Sequence, residues 1–267
     1  MKFVESNQLN DSSKYQALFF TKDGIIADSI THSPLFNFQN TIDKLGLIVD
    51  SIYLDVDLLI VQCKLPSKLP NIIQDQFCIY PAKSFLTKVS DRVQNRILRA
   101  IHWLHWNEQF QYCYKCGNKI DKVKDLTEKR CHTCQLSFYP NLAPAVMVLV
   151  QNNHQVLLAR SAHFKPGIYS VIAGFIDIGE SAEEAAHREV KEEVGIEISR
   201  LEYFGSQSWP FPNSFMIAYK AHYLSGELTI DKNEIEDAKW FHINDLPELP
   251  ARPSISRMLI DSLQPNK

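Results

Sequence analysis

The chain has no long apolar run. The longest beside a candidate strand, Ala145 to Val150, is far too short to cross a bilayer. The N-terminus, MKFVESNQLNDSSKYQ, lacks the apolar stretch of a secretory signal. Pro265, Asn266 and Lys267 at the other end form no receptor-read address. The expectation is a cytoplasmic protein with no membrane partner. An excess of positive charge is missing too. With 28 Lys and Arg against 31 Asp and Glu, the net charge is −3. No global field would draw in nucleic acid or anionic lipid, so an anionic substrate needs local cations or metal ions. There is no internal repeat and no low-complexity stretch, and the composition is that of a globular protein.

At 267 residues the chain is long enough for two domains and for a core that needs no disulfides. Three segments are expected: a β-rich domain with a linking helix over 1–106, a small module over 107–139, and an α/β domain over 140–267. In the first, Lys22-Asp23-Gly24 signals a tight turn between Ala17–Phe20 and Ile25–Ala27. Alternating Leu54-Asp55-Val56-Asp57 leads into the apolar run Leu58–Val61. Ser90 is placed to cap a helix running to about Trp106, with Val93, Ile97, Ile101 and Leu104 on one face. His102 and His105 lie by that stripe without a carboxylate or cysteine nearby, so they are read as packing residues.

Six cysteines are present. Cys63 and Cys78 stand alone and are expected to be buried. Cys113-Tyr-Lys-Cys116 and Cys131-His-Thr-Cys134 are two knuckles that can aim four thiolates at one point. Soft thiolates select Zn²⁺ or an iron–sulfur cluster over Mg²⁺; the spacing is that of a zinc site, and four protein ligands leave no position for water, so the ion would be structural. Lys115, Lys119, Lys122, Lys124, Lys129 and Arg130 make the module basic, but Asp121, Asp125 and Glu128 are interleaved. A solvated surface is the simplest reading.

Most informative is Gly174 to Ile196. Ser181 and Glu184 form a capping box, Gly195 can end the helix, and Ala182, Ala186, Val190 and Val194 recur at a spacing that packs on a sheet. Glu189, Glu192 and Glu193 are neighbours on one helical face. Such a cluster of hard oxygens suits Mg²⁺ or Mn²⁺. Arg188, four residues from both Glu184 and Glu192, can pair with either. Downstream, Ser206-Gln207-Ser208-Trp209-Pro210-Phe211-Pro212-Asn213-Ser214 reads as a stiff extended segment. Its two aromatic rings suit base stacking, and Gln207, Asn213 and Ser214 can bond base edges or phosphate.

The spacing G-x₅-E-x₇-R-E-U-x-E-E-x-G-U, with U apolar, is filled at every fixed position. It resembles the Nudix box. Gln207–Ser214 resembles the SQPWPFPxS array of the NADH diphosphatases within the Nudix hydrolases, with Ser208 where that array has proline. The zinc ribbon, Phe138-Tyr139-Pro140 and Ala143-Pro144-Ala145 are similar to that family as well. The resemblance implies an α+β architecture: a Nudix fold, a zinc ribbon and a β-rich N-terminal domain, in a homodimer. It implies Mg²⁺ or Mn²⁺ held by Glu189, Glu192, Glu193, the Ala173 carbonyl and Glu234, with Glu236 a competitor for the last place. Gln207, Ser208, Trp209, Pro210, Phe211, Pro212, Asn213 and Ser214 would cradle a dinucleotide, Phe175 and Trp209 would stack on its rings, and Tyr139 and Ser256 would touch it. Glu193 would position or deprotonate the attacking water. Where the family often carries a glutamate in the ribbon loop, this chain has Leu126, with Glu128 nearby. The implied reaction cleaves NADH or NAD to NMN(H) and AMP. The alternatives are NAD-cap removal from RNA, another substrate such as ADP-ribose or a diadenosine polyphosphate, and an inactive nucleotide sensor.

Overall fold

A computed structural model describes residues 2–4, 9, 14–66, 76–122 and 128–263. The chain divides into two compact units, Met1–Asn141 and Leu142–Lys267. Lys124, Asp125, Leu126, Pro265, Asn266 and Lys267, named above, lie outside the described residues.

The first unit holds β1 (Lys2–Val4), β2 (Gln16–Thr21), β3 (Gly24–Asp28), β4 (Phe36–Asn37), α1 (Phe38–Leu45), β5 (Ile48–Asp55), β6 (Leu58–Lys64), β7 (Phe77–Tyr80), α2 (Ala82–Phe85) and α3 (Asp91–Gln109). The strands make a sheet in the order β1-β5-β6-β2-β3-β7, with β4 added on β2. The expected tight turn joins β2 to β3, with Thr21 opposite Gly24. Leu54–Asp57 is not one alternating strand. β5 stops at Asp55, and Val56 turns the chain with φ 59°, a conformation rare for a β-branched residue. The helix α1 was not foreseen, although Asn37 caps it through a bond from Asn40 N and Gly46 closes it in the left-handed region.

Helix α3 runs to Gln109, past Trp106, because Asn107 is still buried. It donates from Nδ2 to the Tyr53 hydroxyl at 2.6 Å. Ser90 occupies the N-cap position but its side chain makes no capping bond. Ile97, Ile101 and Leu104 are buried as expected, whereas Val93 is half-buried and its neighbour Gln94 is buried, donating to the Leu86 and Val89 carbonyls. Cys63 is buried; Cys78, expected to be so, is half-buried.

The same unit carries a three-stranded sheet, β10 (Leu136–Phe138), β9 (Lys129–Cys131) and β8 (Asp121–Lys122) in that order. The Sγ atoms of Cys113, Cys116, Cys131 and Cys134 all lie within 4.8 Å of one another. Tetrahedral Zn²⁺ with bonds of about 2.3 Å sets its sulfurs roughly 3.8 Å apart, so the four thiols fit such an ion. Lys129 departs from the solvated reading. It is 2% exposed, lies 5.0 Å from the Trp106 ring centre, and donates to the carbonyls of Asn107, at 2.9 Å, and Phe110. A cation at the carbonyl end of a helix is favourable, and a buried ammonium needs such acceptors.

The second unit holds β11 (Ala143–Asn152), β12 (Gln155–Arg160), β13 (Ile172–Phe175), α4 (Ala182–Val194), β14 (Glu197–Trp209), β15 (Ser214–Ser225), β16 (Asp237–His242) and α5 (Ile255–Asp261). Its mixed sheet runs β14-β15-β11-β12-β16, with β13 also on β11. The one parallel pair is β11 with β15. Along β11, Val146, Val148 and Val150 join Ala186, Val190 and Val194 of α4 in one core, and Met147 and Leu149 join Ile255, Leu259 and Ile260 of α5 in another. Side chains that alternate along a strand explain why this run is apolar at every position: both faces are covered.

Candidate active site

The capping box opens α4. Ser181 Oγ accepts from Glu184 N at 3.2 Å, and Glu184 Oε2 accepts from Ser181 N at 2.8 Å. Gly195 closes the helix at φ 75°, where a side chain would be strained. Because Glu184 is spent on the cap, Arg188 does not pair with it. Arg188 instead holds Glu180 in a two-pronged bond (Nε to Oε1, 2.8 Å; Nη2 to Oε2, 2.9 Å). It also donates to Glu189 Oε1, Glu192 Oε2 and the Phe175 carbonyl, each at 2.9 Å. Glu180, bonded by Arg188 and by the Asp177 amide, is held at a pKa of about 2. Glu180 fills the first glutamate position of the spacing pattern, but its pairing with Arg188 has no signal in helical spacing, since Glu180 sits in the loop before the helix. Arg188 thus ties the loop to the helix and orients its carboxylates.

Glu189 and Glu193 are 7% and 5% exposed, whereas the Glu192 side chain is turned outward onto Arg188. The three-glutamate cluster expected on the helix is therefore rearranged. Carboxylate oxygens of Glu189, Glu193 and Glu234 lie within 4.8 Å of one another, without Glu192. Glu234 is brought there by its loop, in which Thr229 N and Asp231 N bond the Val194 and Glu193 carbonyls at 3.0 Å. Its competitor Glu236 is engaged elsewhere, with Arg160 at 2.8 Å.

This cluster is electrostatically incomplete. Burial, then the charges of Glu189 and Glu234, push the Glu193 carboxyl up to about 8, and its Oε2 is buried with no hydrogen-bond partner. Burial also raises Glu189, against the pull of Arg188. A hard divalent cation is what such oxygens accept. Ala173 lies in β13 opposite Met147, one residue before Gly174. Gly174 is required for a steric reason: a Cβ there would fall 1.9 Å from Glu189 Cδ. Gly174→Ala should fold normally, since the carboxyl can swing aside, yet it displaces Glu189 from the cluster. The expected outcome is a Tm near that of the parent with turnover lowered at least ~10-fold, checked by calorimetry and a steady-state assay.

The aromatic array is extended only over Ser206–Trp209, the end of β14. It is the tip of the β14–β15 hairpin, with Trp209 opposite Ser214 and Pro210–Asn213 turning the chain. The prolines end one strand and start the other rather than stiffening a straight run. Trp209 and Phe211 meet edge to face, with ring centres 5.3 Å apart. Gln207 is already used within the chain. Its Nε2 donates to the Pro253 carbonyl and its Oε1 accepts from Ile255 N, both at 2.8 Å, which fixes the start of α5. Ser214, Ser256 and Pro210 are buried. Asn213 accepts from Ala143 N at 2.9 Å through its carbonyl. Phe175 is 58% exposed. Tyr139, 63% exposed, belongs to the first unit.

The NUDIX domain family matches residues 141–261. That match contains the carboxylate helix Ala182–Val194. Among curated proteins it is similar to two relatives called NAD-capped RNA hydrolase NudC. It is 48% identical over 156 residues to that of Pseudomonas aeruginosa (strain LESB58), covering 58% of this chain and 56% of that protein. It is 47% identical over 156 residues to that of Pseudomonas fluorescens (strain Pf0-1), with the same coverage. The matched region spans little more than half the length of these relatives. Among solved structures, a NUDIX hydrolase from Nitrosomonas europaea is 21% identical and covers 53% of this chain and 84% of its own, with a TM-score of 0.46.

Proposed function

We propose that the protein hydrolyses the pyrophosphate bond of NADH or NAD, giving NMN(H) and AMP. The observation that carries this is the buried, unpartnered Glu193 oxygen among Glu189 and Glu234. In this reading Glu189, Glu193 and Glu234 hold Mg²⁺ or Mn²⁺, with Glu192 and the Ala173 carbonyl as further ligands. The bound cation would neutralise pyrophosphate charge and acidify a water for in-line attack on phosphorus. Glu193 positions that water or takes its proton. Arg188 fixes Glu189 and Glu192 and does not itself touch substrate, since its donors are engaged by the chain. Phe175, Trp209 and Phe211 offer ring faces to the dinucleotide, supported by Ser208, Pro210, Pro212, Asn213, Ser214 and Ser256. Gln207 acts by shaping the pocket wall through α5.

Removal of an NAD cap from RNA is a second reading of the same chemistry, favoured by the names of the relatives. Zn²⁺ on the four cysteines is structural in this account, the working divisions are 1–106, 107–139 and 140–267, and the protein acts as a homodimer in the cytoplasm. No helix among the described residues is long and apolar enough to cross a membrane.

Purified protein, incubated with Mg²⁺ or Mn²⁺ and NADH, NAD, ADP-ribose or NAD-capped RNA, should release NMNH and AMP from NADH, and EDTA should stop the release. Intact NADH beside cleaved ADP-ribose would replace the proposed substrate.

A pH effect follows from Glu193. Its pKa in the fold, about 8, exceeds its ordinary 4.5, so the folded state favours the protonated carboxyl. The stability it contributes is complete below 4.5 and is lost as pH rises through 8. Cation binding at neutral pH should then expel a proton. Titration calorimetry in buffers of different ionisation heat should detect that proton for the parent and not for Glu193→Gln.

A further inference from the structure

The zinc ribbon presents a face that neither the carboxylate site nor the core uses. Tyr112 and Tyr114 flank the inward Cys113, and their residues are 66% and 82% exposed. Tyr112 pairs with Lys119 across an isolated antiparallel bridge, which sets the two side chains beside one another. Tyr114 is steadied edge to face against the buried Phe138, with ring centres 5.4 Å apart. Lys115 follows Tyr114 directly. Lys115 and Lys119 are both exposed and have no side-chain partner among the described residues.

Of the acidic side chains interleaved with these lysines, the two described, Asp121 and Glu128, have other partners. Asp121 lies 3.4 Å from His132, and Glu128 accepts from Ser137 Oγ at 2.6 Å with Arg130 at 3.8 Å. The remaining surface combines two exposed aromatic rings, one braced from behind, with two ammonium groups that have no partner among the described residues. Flat rings accept bases of any sequence, and ammonium groups accept the phosphates between them. A second copy of this chain fits less well. A twofold contact through this face would bring the lysines of both copies together without a described carboxylate to meet them.

We infer that this ribbon face, Tyr112, Tyr114, Lys115 and Lys119, binds single-stranded RNA, as the body of a capped substrate whose cap is cleaved by the NUDIX domain. The inference rests on the pyrophosphatase reading only for its biological setting, since the face binds RNA whether or not a cap is present. It separates two substrates that share one scissile bond: free dinucleotide does not need this face, while capped RNA does.

The test uses the full, zinc-loaded protein and a labelled, uncapped single-stranded RNA of about ten nucleotides, followed by fluorescence anisotropy. Tyr112→Ala/Tyr114→Ala should weaken binding at least ~10-fold through lost stacking. Lys115→Ala/Lys119→Ala, which alters only exposed side chains, should lower the slope of log affinity against log salt by about 1.4. Zinc content and sedimentation should match the parent, and NADH turnover should be unchanged in both variants, while kcat/KM for NAD-capped RNA falls. RNA binding unaltered in both variants overturns the inference. A shift from dimer to monomer without an effect on RNA binding also overturns it and makes the face an interface between copies. If the parent cleaves no NADH, the pyrophosphatase reading fails, and the anisotropy result still decides the ribbon face.

Discussion

Glu193→Gln is expected to lower kcat by roughly 10²- to 10⁴-fold, the range for a lost proton-transfer group. The replacement is nearly isosteric, so the core around Val190 and Val194 is undisturbed. An amide cannot take up a proton and offers a cation only one neutral oxygen. Two effects then distinguish this variant from one that merely unfolds. The metal-free protein should be more stable than the parent at pH 8, because the buried charge surrounded by Glu189 and Glu234 is gone. Its affinity for Mn²⁺ should also fall and lose its dependence on pH in that range. Thermal unfolding at pH 5 and pH 8, with and without Mn²⁺, and single-turnover kinetics measure all three. Turnover within a factor of two of the parent would remove Glu193 from the chemistry and shift the role to Glu189 or Glu234.

Cys131→Ser should have the largest effect on the first unit. Cys131 is wholly buried, and its thiol lies 3.6 Å from that of Cys116. The Zn²⁺ proposed above for the four cysteines would contribute on the order of 10 kcal/mol, so losing a ligand should unfold this module. The damage should not stop at the sheet. Lys129, two residues earlier on β9, holds the Asn107 and Phe110 carbonyls and lies by the Trp106 ring. When β9 is released, the last turn of α3 loses its cationic cap. Hydrogen exchange should therefore accelerate at residues 106–110 along with the ribbon, while the amides of α4 keep their protection. A strong zinc chelator should reproduce the pattern. Protection at 106–110 that survives zinc loss would show that Lys129 holds the helix without the ion.

Features set by local pattern were legible in the sequence. The capping box, the Gly195 terminus and the buried face of α4 depend on side chains a few residues apart, and the structure has them where the spacing placed them. The cysteine knuckles were equally plain. What could not be read depends on contacts between distant segments. Glu180 reaches Arg188 only because the loop folds back on the helix, whereas the Arg188–Glu192 pair, four residues apart on one helix, was legible. Gln207 has the chemistry of a base-binding residue, and nothing in its neighbours foretells that Pro253 and Ile255 will claim it. Lys129 looked like any other lysine in a basic stretch. Its burial beside Trp106 follows from the fold bringing β9 to the end of α3, which no local pattern encodes. The hairpin tip is a different kind of miss. Two prolines around an aromatic ring fit an extended run and a turn equally well, and pairing with β15 chose the turn.

Strand β11 serves two hydrophobic layers at once, its even-numbered valines facing α4 and the residues between them facing α5. Its side chains act like the teeth of a key cut on both edges. A substitution of one apolar residue for another dulls a single tooth. Deleting one residue from the middle of the strand advances every later tooth by one step, so both layers lose their fit together. The carboxylate site depends on that alignment, because the same strand pairs Met147 with Ala173 and Val146 with Gly174, on which the Glu189 carboxyl rests. Length in β11 is therefore under tighter constraint than composition, and the chemistry at one end of the domain is gauged by the count of residues through its middle.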